Sequence, residues 1–173
     1  MGVVLGPDSN REEQLNRMIV QYEKDLLRMC CVYLRDTSLA EDAVQEAFLK
    51  AYQNLYAFRG DCSEKTWLMH IVMNVCKDFR RNTWYRFADR SVSFEQLPAP
   101  SSPPTLDHIT LTTEIMRLPR KQMEAVLLYY YQHMKIKEIA QALKVSPAAI
   151  SARLDKARKR LHGALEGGAG YES

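Results

Sequence analysis

A cluster of basic side chains lies near the carboxyl end of the chain. Between Ser146 and His162 there are five bases and one acid, Asp155. The bases are Arg153, Lys156, Arg158, Lys159 and Arg160. Residues 1–97 are nearly neutral, with 13 Lys and Arg against 14 Asp and Glu, and the net charge of the whole chain is only +3. Positive charge concentrated in one segment indicates a polyanionic partner for that segment.

The elements that position these bases form a helix-turn-helix pattern. A short helix is predicted over Lys135–Lys144, followed by the break Val145–Pro147 and a second helix. Ser146 suits the N-cap of that second helix and Pro147 its first position. The apolar stripe leaves Ser151 and the bases outside the core, where such a motif meets base edges and phosphates. One departure is Lys144, where many such motifs have glycine; a helical hairpin with a solvated basic face is the alternative.

A second candidate surface belongs to an alanine-rich helix predicted over Ser38–Arg59. Ser38 with Glu41 three residues later fits a capping box. Small alanines at helical spacing allow a neighbouring helix to approach closely. The opposite side is polar and acidic: Glu41, Asp42, Gln45, Glu46, Lys50 and Gln53. This side is either a binding surface or an ordinary solvated face.

A third candidate is a helix predicted over Thr66–Arg81, with Thr66 as its cap. It carries Trp67, the polar Asn74 and several bases near its end. Aromatic rings beside bases suit single-stranded DNA, because rings stack on unpaired bases and cations follow the phosphates. Trp67 could equally be a core anchor.

The organisation is all-α, with two small helical domains joined by a Pro/Ser-rich linker. The predicted domains are residues 10–95 and 106–166, with the linker over 96–105 and a glycine-rich tail over 167–173. The linker holds four of the seven prolines, which favour an extended spacer. No alternation of strand period occurs, and apolar stripes at three- and four-residue spacing run through both domains.

No residue set in the sequence suits an enzyme, a metal or a cofactor. Of the four cysteines, Cys62 and Cys76 could be combined with His70 for zinc, but His70 and Cys76 on one helix would lie about 120° apart around its axis. We therefore expect reduced thiols, no catalysis and no small-molecule substrate. Without a visible signal peptide or an apolar stretch of about 20 residues, a cytoplasmic location is expected.

Two blocks of the sequence resemble a known family. Residues 40–52 (AEDAVQEAFLKAY), Phe58-Arg-Gly60 and residues 66–74 (TWLMHIVMN) look like region 2 of a bacterial sigma factor. Leu118-Pro-Arg-Lys-Gln122 and residues 145–158 (VSPAAISARLDKAR) look like region 4. The gap between the blocks is too short for a region 3 domain. The chain therefore resembles the extracytoplasmic-function (ECF) group of sigma factors.

The resemblance implies a role for each block. Core RNA polymerase would be bound, through the coiled coil of its largest subunit, by Asp42, Gln45, Glu46 and Leu49. The minus-ten element would be captured and held melted by Asp61, Ser63, Trp67, Asn74, Lys77, Arg80 and Arg81. The minus-thirty-five element would be contacted by Ser146, Ala149, Ser151, Arg153, Lys156, Arg158 and Lys159. The polymerase flap, promoter DNA and a membrane-anchored anti-sigma factor are the further implied partners.

These roles predict a protein that directs core polymerase to promoters and assists their melting. The alternative is a conventional helix-turn-helix regulator with a helical sensing domain at the amino end. Such a regulator would need a roomy apolar pocket or a dimer face in residues 10–95, and the packed alanine stripe argues against both. Ser151 and Ala152 stand where members of the family often have Lys and Ser, so the resemblance implies no particular promoter sequence.

Overall fold

A computed structural model describes residues 6–82 and 106–169, and all of its regular elements are helical. The amino-terminal half contains α1 (Pro7–Leu34), α2 (Thr37–Asn54), a 3₁₀ turn (Leu55–Ala57) and α3 (Glu64–Asn82). The carboxyl-terminal half contains α4 (Leu106–Met116), α5 (Arg120–Val126), α6 (Ile136–Leu143) and α7 (Pro147–Ala169). Between α5 and α6, the segment Leu127–Tyr131 continues α5 as a π-helix. The predicted all-α class is confirmed.

Short-range signals fix where most helices begin. Pro7 opens α1 after an extended Gly6, and Pro147 opens α7 as predicted. The Ser146 hydroxyl oxygen accepts a hydrogen bond from the Ala149 amide at 3.1 Å, which confirms the predicted cap. Lys144 has a positive φ of 54° at the end of α6, the left-handed conformation that glycine usually supplies in this turn.

Two predicted caps are wrong by two or three residues. The cap of α2 is Asp36, whose carboxylate accepts a hydrogen bond from the Leu39 amide at 3.0 Å, and not Ser38. The cap of α3 is Ser63, whose hydroxyl accepts from the Thr66 amide at 3.1 Å. Both are preferred cap residue types, and the earlier position lengthens the helix by two residues in α2 and three in α3.

The ends of two helices also differ from prediction. Helix α2 stops at Asn54 and tightens into the 3₁₀ turn, so the chain reaches Gly60, with a φ of +76°, through a loop. Helix α7 runs through Gly163 and Gly167 to Ala169, past the start predicted for the tail. A glycine within a helix costs only about 1 kcal/mol, less than is needed to stop it. The predicted linker, residues 96–105, lies outside the described residues.

Both halves share one apolar core. The alanine face of α2 is buried against α1 and α3, with Ala40, Ala43 and Ala47 at zero exposure. In the other half, α7 packs on α5 and α6 through Ile150 and Leu154. The two halves meet where α3 packs on α6 and α1 packs on α4, so the buried residues form a continuous cluster. This arrangement decides which candidate surfaces are accessible.

Candidate polymerase and nucleic-acid surfaces

The acidic surface of α2 is exposed. Asp42 lies three and four residues before Gln45 and Glu46, and Leu49 lies four and three residues after them, so the four share one side of the helix. Leu49 is 50% exposed, unusual for a leucine on a helix whose other side is buried. The Glu46 carboxylate lies 3.8 Å from the Lys50 amine, an ion pair that water screens. The residues predicted for polymerase therefore form a contiguous exposed patch, which we call the α2 acidic surface.

The loop before α3 contains two exposed candidates, and one of them also caps the helix. The Asp61 side chain is exposed after the turn at Gly60. Ser63, also predicted to contact DNA, caps α3 and donates its hydroxyl hydrogen to the Thr66 hydroxyl at 2.9 Å. The Ser63 hydroxyl is therefore used to cap α3 in this structure.

Trp67 anchors the loop to the body of the amino-terminal half. Its ring packs against Phe58 with 5.1 Å between centroids, and its side chain is half-buried beside the core. The ring therefore joins the two ends of the loop.

The half-buried side of α3 that carries His70 meets the carboxyl-terminal half. His70 donates from Nδ1 to the Ala142 carbonyl oxygen of α6 at 2.7 Å, since a carbonyl can only accept. Its Nε2 then accepts from the Asn74 amide at 3.2 Å. Asn74 itself is solvent-exposed. Its bond to His70 places it beside the contact between the halves.

The cations near the end of α3 have partners within the protein. The Lys77 amine lies 3.8 Å from the carboxylate of Glu124 on α5. Arg81 pairs with Asp78 at 3.2 Å, and the Arg80 guanidinium lies 5.4 Å from the centre of the Tyr33 ring. The three cations predicted to contact phosphates thus all interact with side chains of the protein itself, and Lys77 does so with the other half.

The basic residues of α7 divide between two sides of the helix. Arg153 and Lys156 line a groove of about 500 Å³ together with the start of α5, where Arg120, Lys121 and Gln122 lie. A groove between α7 and the basic amino-terminal end of α5 fits a DNA strand that passes over it. Of the other predicted residues, Lys159 is exposed, Ala149 and Ser151 are half-buried, and Ser146 is the cap.

Arg158 lies on the opposite side of α7. Its Nε donates to the Tyr130 hydroxyl oxygen at 3.1 Å, and its guanidinium lies 5.4 Å from the centre of the Tyr129 ring. Because Arg158 follows Lys156 by two residues, the two side chains lie about 200° apart around the helix axis. Arg158 therefore faces away from the groove that Arg153 and Lys156 share.

Two groove residues were missed by the sequence reasoning, Arg120 and Lys121. The signal was present, because a pair of bases directly after Pro119 opens a helix beside the predicted recognition helix. The resemblance of Leu118–Gln122 to region 4 assigns no role to these two bases.

The residues weighed for zinc are separated. His70 is bonded to Ala142, and Cys76 lies 3.4 Å, sulfur to sulfur, from Cys30 in the core. Cys62 is half-exposed in the loop. The described residues contain no group of three potential metal ligands and no helix that could span a bilayer.

Two family models match the chain, and they divide it as the fold does. Residues 18–86 match sigma-70 region 2, and residues 108–161 match sigma-70 region 4. The chain belongs to the ECF sigma factors. As a member of that family, it acts in transcription initiation with core RNA polymerase on promoter DNA.

Curated relatives agree over most of this chain. The sigma-H factor of Pseudomonas aeruginosa is 26% identical over 86% of this chain and 84% of its own length. The ECF sigma factor SigM of Bacillus subtilis is 29% identical over 85% and 92%. The probable sigma factor RfaY of Xanthomonas campestris is 28% identical over 89% of this chain, which spans only 41% of that relative.

Solved structures show the same fold. CnrH, solved in complex with the cytosolic domain of CnrY, has a TM-score of 0.72 at 21% identity and covers 92% of both chains. The sigma factor RpoE of Bartonella quintana, solved with the anti-sigma factor NepR, has a TM-score of 0.74 at 21% identity over 89% of this chain and 98% of that chain.

Proposed function

We propose that the α2 acidic surface binds core polymerase while the groove between α5 and α7 binds the minus-thirty-five element. The observation that supports this most directly is the exposure of Asp42, Glu46 and Leu49 on a helix whose other side is the core. None of these three side chains belongs to the buried core, so all three are available to a partner. A half-exposed leucine among carboxylates suits a protein interface with charged surroundings.

The groove supplies the DNA contact. Arg153, Lys156, Arg120 and Lys121 converge on it from two helices, and exposed bases of this kind bind phosphates in duplex DNA. We assign Ala149 to the base-facing side of α7, because it shares that side with Arg153 and Lys156. Ser151 lies about 200° around the helix from Ala149, on the side where Arg158 supports the tyrosines.

The minus-ten element is assigned to the loop and to α3. Asp61 and Asn74 are exposed polar groups near the half-buried Trp67, and a base that leaves its stack needs such hydrogen-bonding partners. Lys77, Arg80 and Arg81 would hold the backbone of the melted strand once their internal partners release them. Capture of an extruded base offsets the few kcal/mol of unstacking, which couples recognition to melting.

An anti-sigma factor is the further proposed partner, held at the membrane while this chain stays on the cytoplasmic side. Of the solved structures described above, one contains the cytosolic domain of CnrY and the other contains the anti-sigma factor NepR. The regulator alternative is not favoured, because both family models match and the alanine face of α2 is fully packed.

Charge reversal tests the polymerase surface. Asp42→Lys with Glu46→Lys should abolish co-purification with core polymerase while leaving helicity and melting temperature close to those of the parent, because both side chains lie outside the core. Glu13→Lys with Glu23→Lys makes the same charge change on exposed positions of α1 and should retain binding. Intact co-purification of the α2 variant would sink the assignment.

A further inference from the structure

The loop before α3, residues 58–63, is attached to α1 where it joins α3. Glu64 is the first residue of α3, and its Oε2 accepts hydrogen bonds from the Arg17 guanidinium at 2.9 Å and from the Gln14 amide at 3.0 Å. The Glu64 side chain is only 22% exposed, so water screens its ion pair with Arg17 incompletely. The amino-terminal end of a helix also favours a negative charge. The start of α3 is therefore fixed to α1 by a charge-assisted, directional contact.

The other end of the loop is attached to α1 as well. Arg11 donates from Nη2 to the Tyr52 carbonyl oxygen, in the last turn of α2, at 3.0 Å. Its guanidinium lies 4.9 Å from the centre of the Tyr52 ring and 6.0 Å from that of Tyr56 in the 3₁₀ turn. The last turn of α2 has no basic residue, so Arg11 supplies the positive charge that the carboxyl end of a helix favours. We call Arg11, Gln14 and Arg17 the α1 brace.

The brace and the ring contact across the loop set the path of the chain between them. The first and last residues of the brace lie about 9 Å apart along the axis of α1. At the base of the loop, the rings of Phe58 and Trp67 have centres 5.1 Å apart. Six residues could span about 20 Å if fully extended, so a loop whose ends are held this closely must bulge outward. Gly60 and Asp61 are exposed at its middle.

The two proposed partners of the extruded base are attached to the protein differently. Asn74 lies within α3, whose other side is packed in the core, whereas Asp61 lies on the loop. The distance between the two side chains therefore depends on how the loop is attached. A loop that is loose before binding loses conformational entropy when it closes on a base, and a loop that is already held in place loses less.

We infer that the residues of the α1 brace are positioning residues for minus-ten recognition, which hold the loop so that Asp61 and Asn74 meet the extruded base together. The DNA step of this role rests on the proposed function, whereas the bracing rests on the contacts of α1 with Glu64 and Tyr52. The brace acts through the loop, and none of its residues contacts the base. Helix α1 thereby takes part in promoter recognition without belonging to any of the proposed binding surfaces.

Cys62 is a natural reporter for the bracing, without polymerase or DNA. It is half-exposed in the loop while the other three cysteines are buried, so a thiol-specific spin label reacts with Cys62 in the folded protein. The label should give a restricted resonance spectrum in the parent and a more mobile one in Arg17→Glu and in Glu64→Arg. The exchange variant, Arg17→Glu with Glu64→Arg, should regain the restricted spectrum, because opposite charges face each other again and Gln14 also has an accepting oxygen. Identical spectra from all four folded proteins would overturn the bracing.

Binding of holoenzyme to promoter DNA with a mismatched, pre-melted minus-ten region tests the DNA step. Arg17→Glu and Glu64→Arg should each weaken binding roughly three- to tenfold, because the loop must be ordered when it captures the base. Glu64→Arg makes the protein more positive, so a purely electrostatic effect predicts tighter binding, the opposite sign. The exchange variant should bind within about twofold of the parent. If it stays as weak as Arg17→Glu, Arg17 contacts DNA directly and the positioning role is wrong.

A matched control comes from an ion pair in the carboxyl-terminal half. Arg117→Glu makes the same charge change as Arg17→Glu and breaks the 2.7 Å pair with Glu114, and it should alter neither the spectrum nor the binding beyond about twofold. Melting temperatures are measured for the whole series. Binding that follows melting temperature, and not the restored pair of charges, would show a merely structural role and overturn the inference. A parent holoenzyme that binds mismatched DNA of unrelated sequence equally well would overturn the minus-ten assignment and leave the spin-label result standing.

Discussion

At the scale of single residues, burial sets the chemistry of the cysteines. Cys31 is fully buried at the end of α1, and burial raises its pKa to about 11. The pKa of Cys30 is raised well above its ordinary value by its hydrogen bond with Cys76 and by burial. These two thiols are therefore packing groups, and the folded protein keeps them protonated to higher pH than the unfolded chain does.

The raised thiol pKa values predict a loss of stability at alkaline pH. In the unfolded chain a thiol ionises near pH 8.5, whereas the folded chain keeps the Cys31 proton to about pH 11. The stabilisation is therefore complete below about pH 8.5 and is lost as the pH rises toward 11. Urea unfolding under reducing conditions should show a falling free energy of unfolding over this window, with a shallower fall in Cys31→Ala. Parallel curves for parent and variant would contradict this origin.

At the scale of elements, the sequence was most informative where a helix is determined by its own residues. Ser146 and Pro147 start α7 by local hydrogen bonding and fixed φ, so the start could be predicted. The π-helix Leu127–Tyr131 could not, because it exists beside the long-range contact of Gln132 with α1. The partner of Lys77 was equally hidden, since Glu124 is far away along the chain.

Helical geometry gives a sharper prediction for the bases of α7. Lys156→Ala should lower the slope of log affinity against log salt for promoter DNA by about one, because the groove side chain releases a phosphate counterion. Arg158→Ala is the matched control from the same helix and should leave the slope unchanged, since Arg158 is held by Tyr130. Arg120→Ala should behave like Lys156→Ala. Equal losses for Lys156 and Arg158 would contradict the division of α7 into two sides.

At the scale of the whole molecule, accessibility differs between the two binding functions. The α2 acidic surface is exposed while the two halves are packed together, whereas Lys77 and the neighbourhood of Asn74 lie against the other half. In the proposed assignment, polymerase and the minus-thirty-five element can therefore bind first, and Lys77 reaches the minus-ten element only when its contact with Glu124 breaks. The order follows from which contacts are buried.

Promoter melting is the whole-molecule function that tests this order. Asn74→Ala with Asp61→Ala changes two exposed side chains near the proposed base pocket and leaves the core intact. Ser63 is kept, since losing a cap costs about 0.5–2 kcal/mol and would confuse stability with melting. In holoenzyme on promoter DNA, duplex binding through α7 should persist while permanganate-reactive thymines decrease, because the extruded base loses its hydrogen-bonding partners. Ser63→Ala serves as the stability control, with a lower melting temperature and a bubble of normal extent below it. If the parent holoenzyme never yields reactive thymines on a promoter that it binds, the assignment of melting to the loop and α3 is wrong.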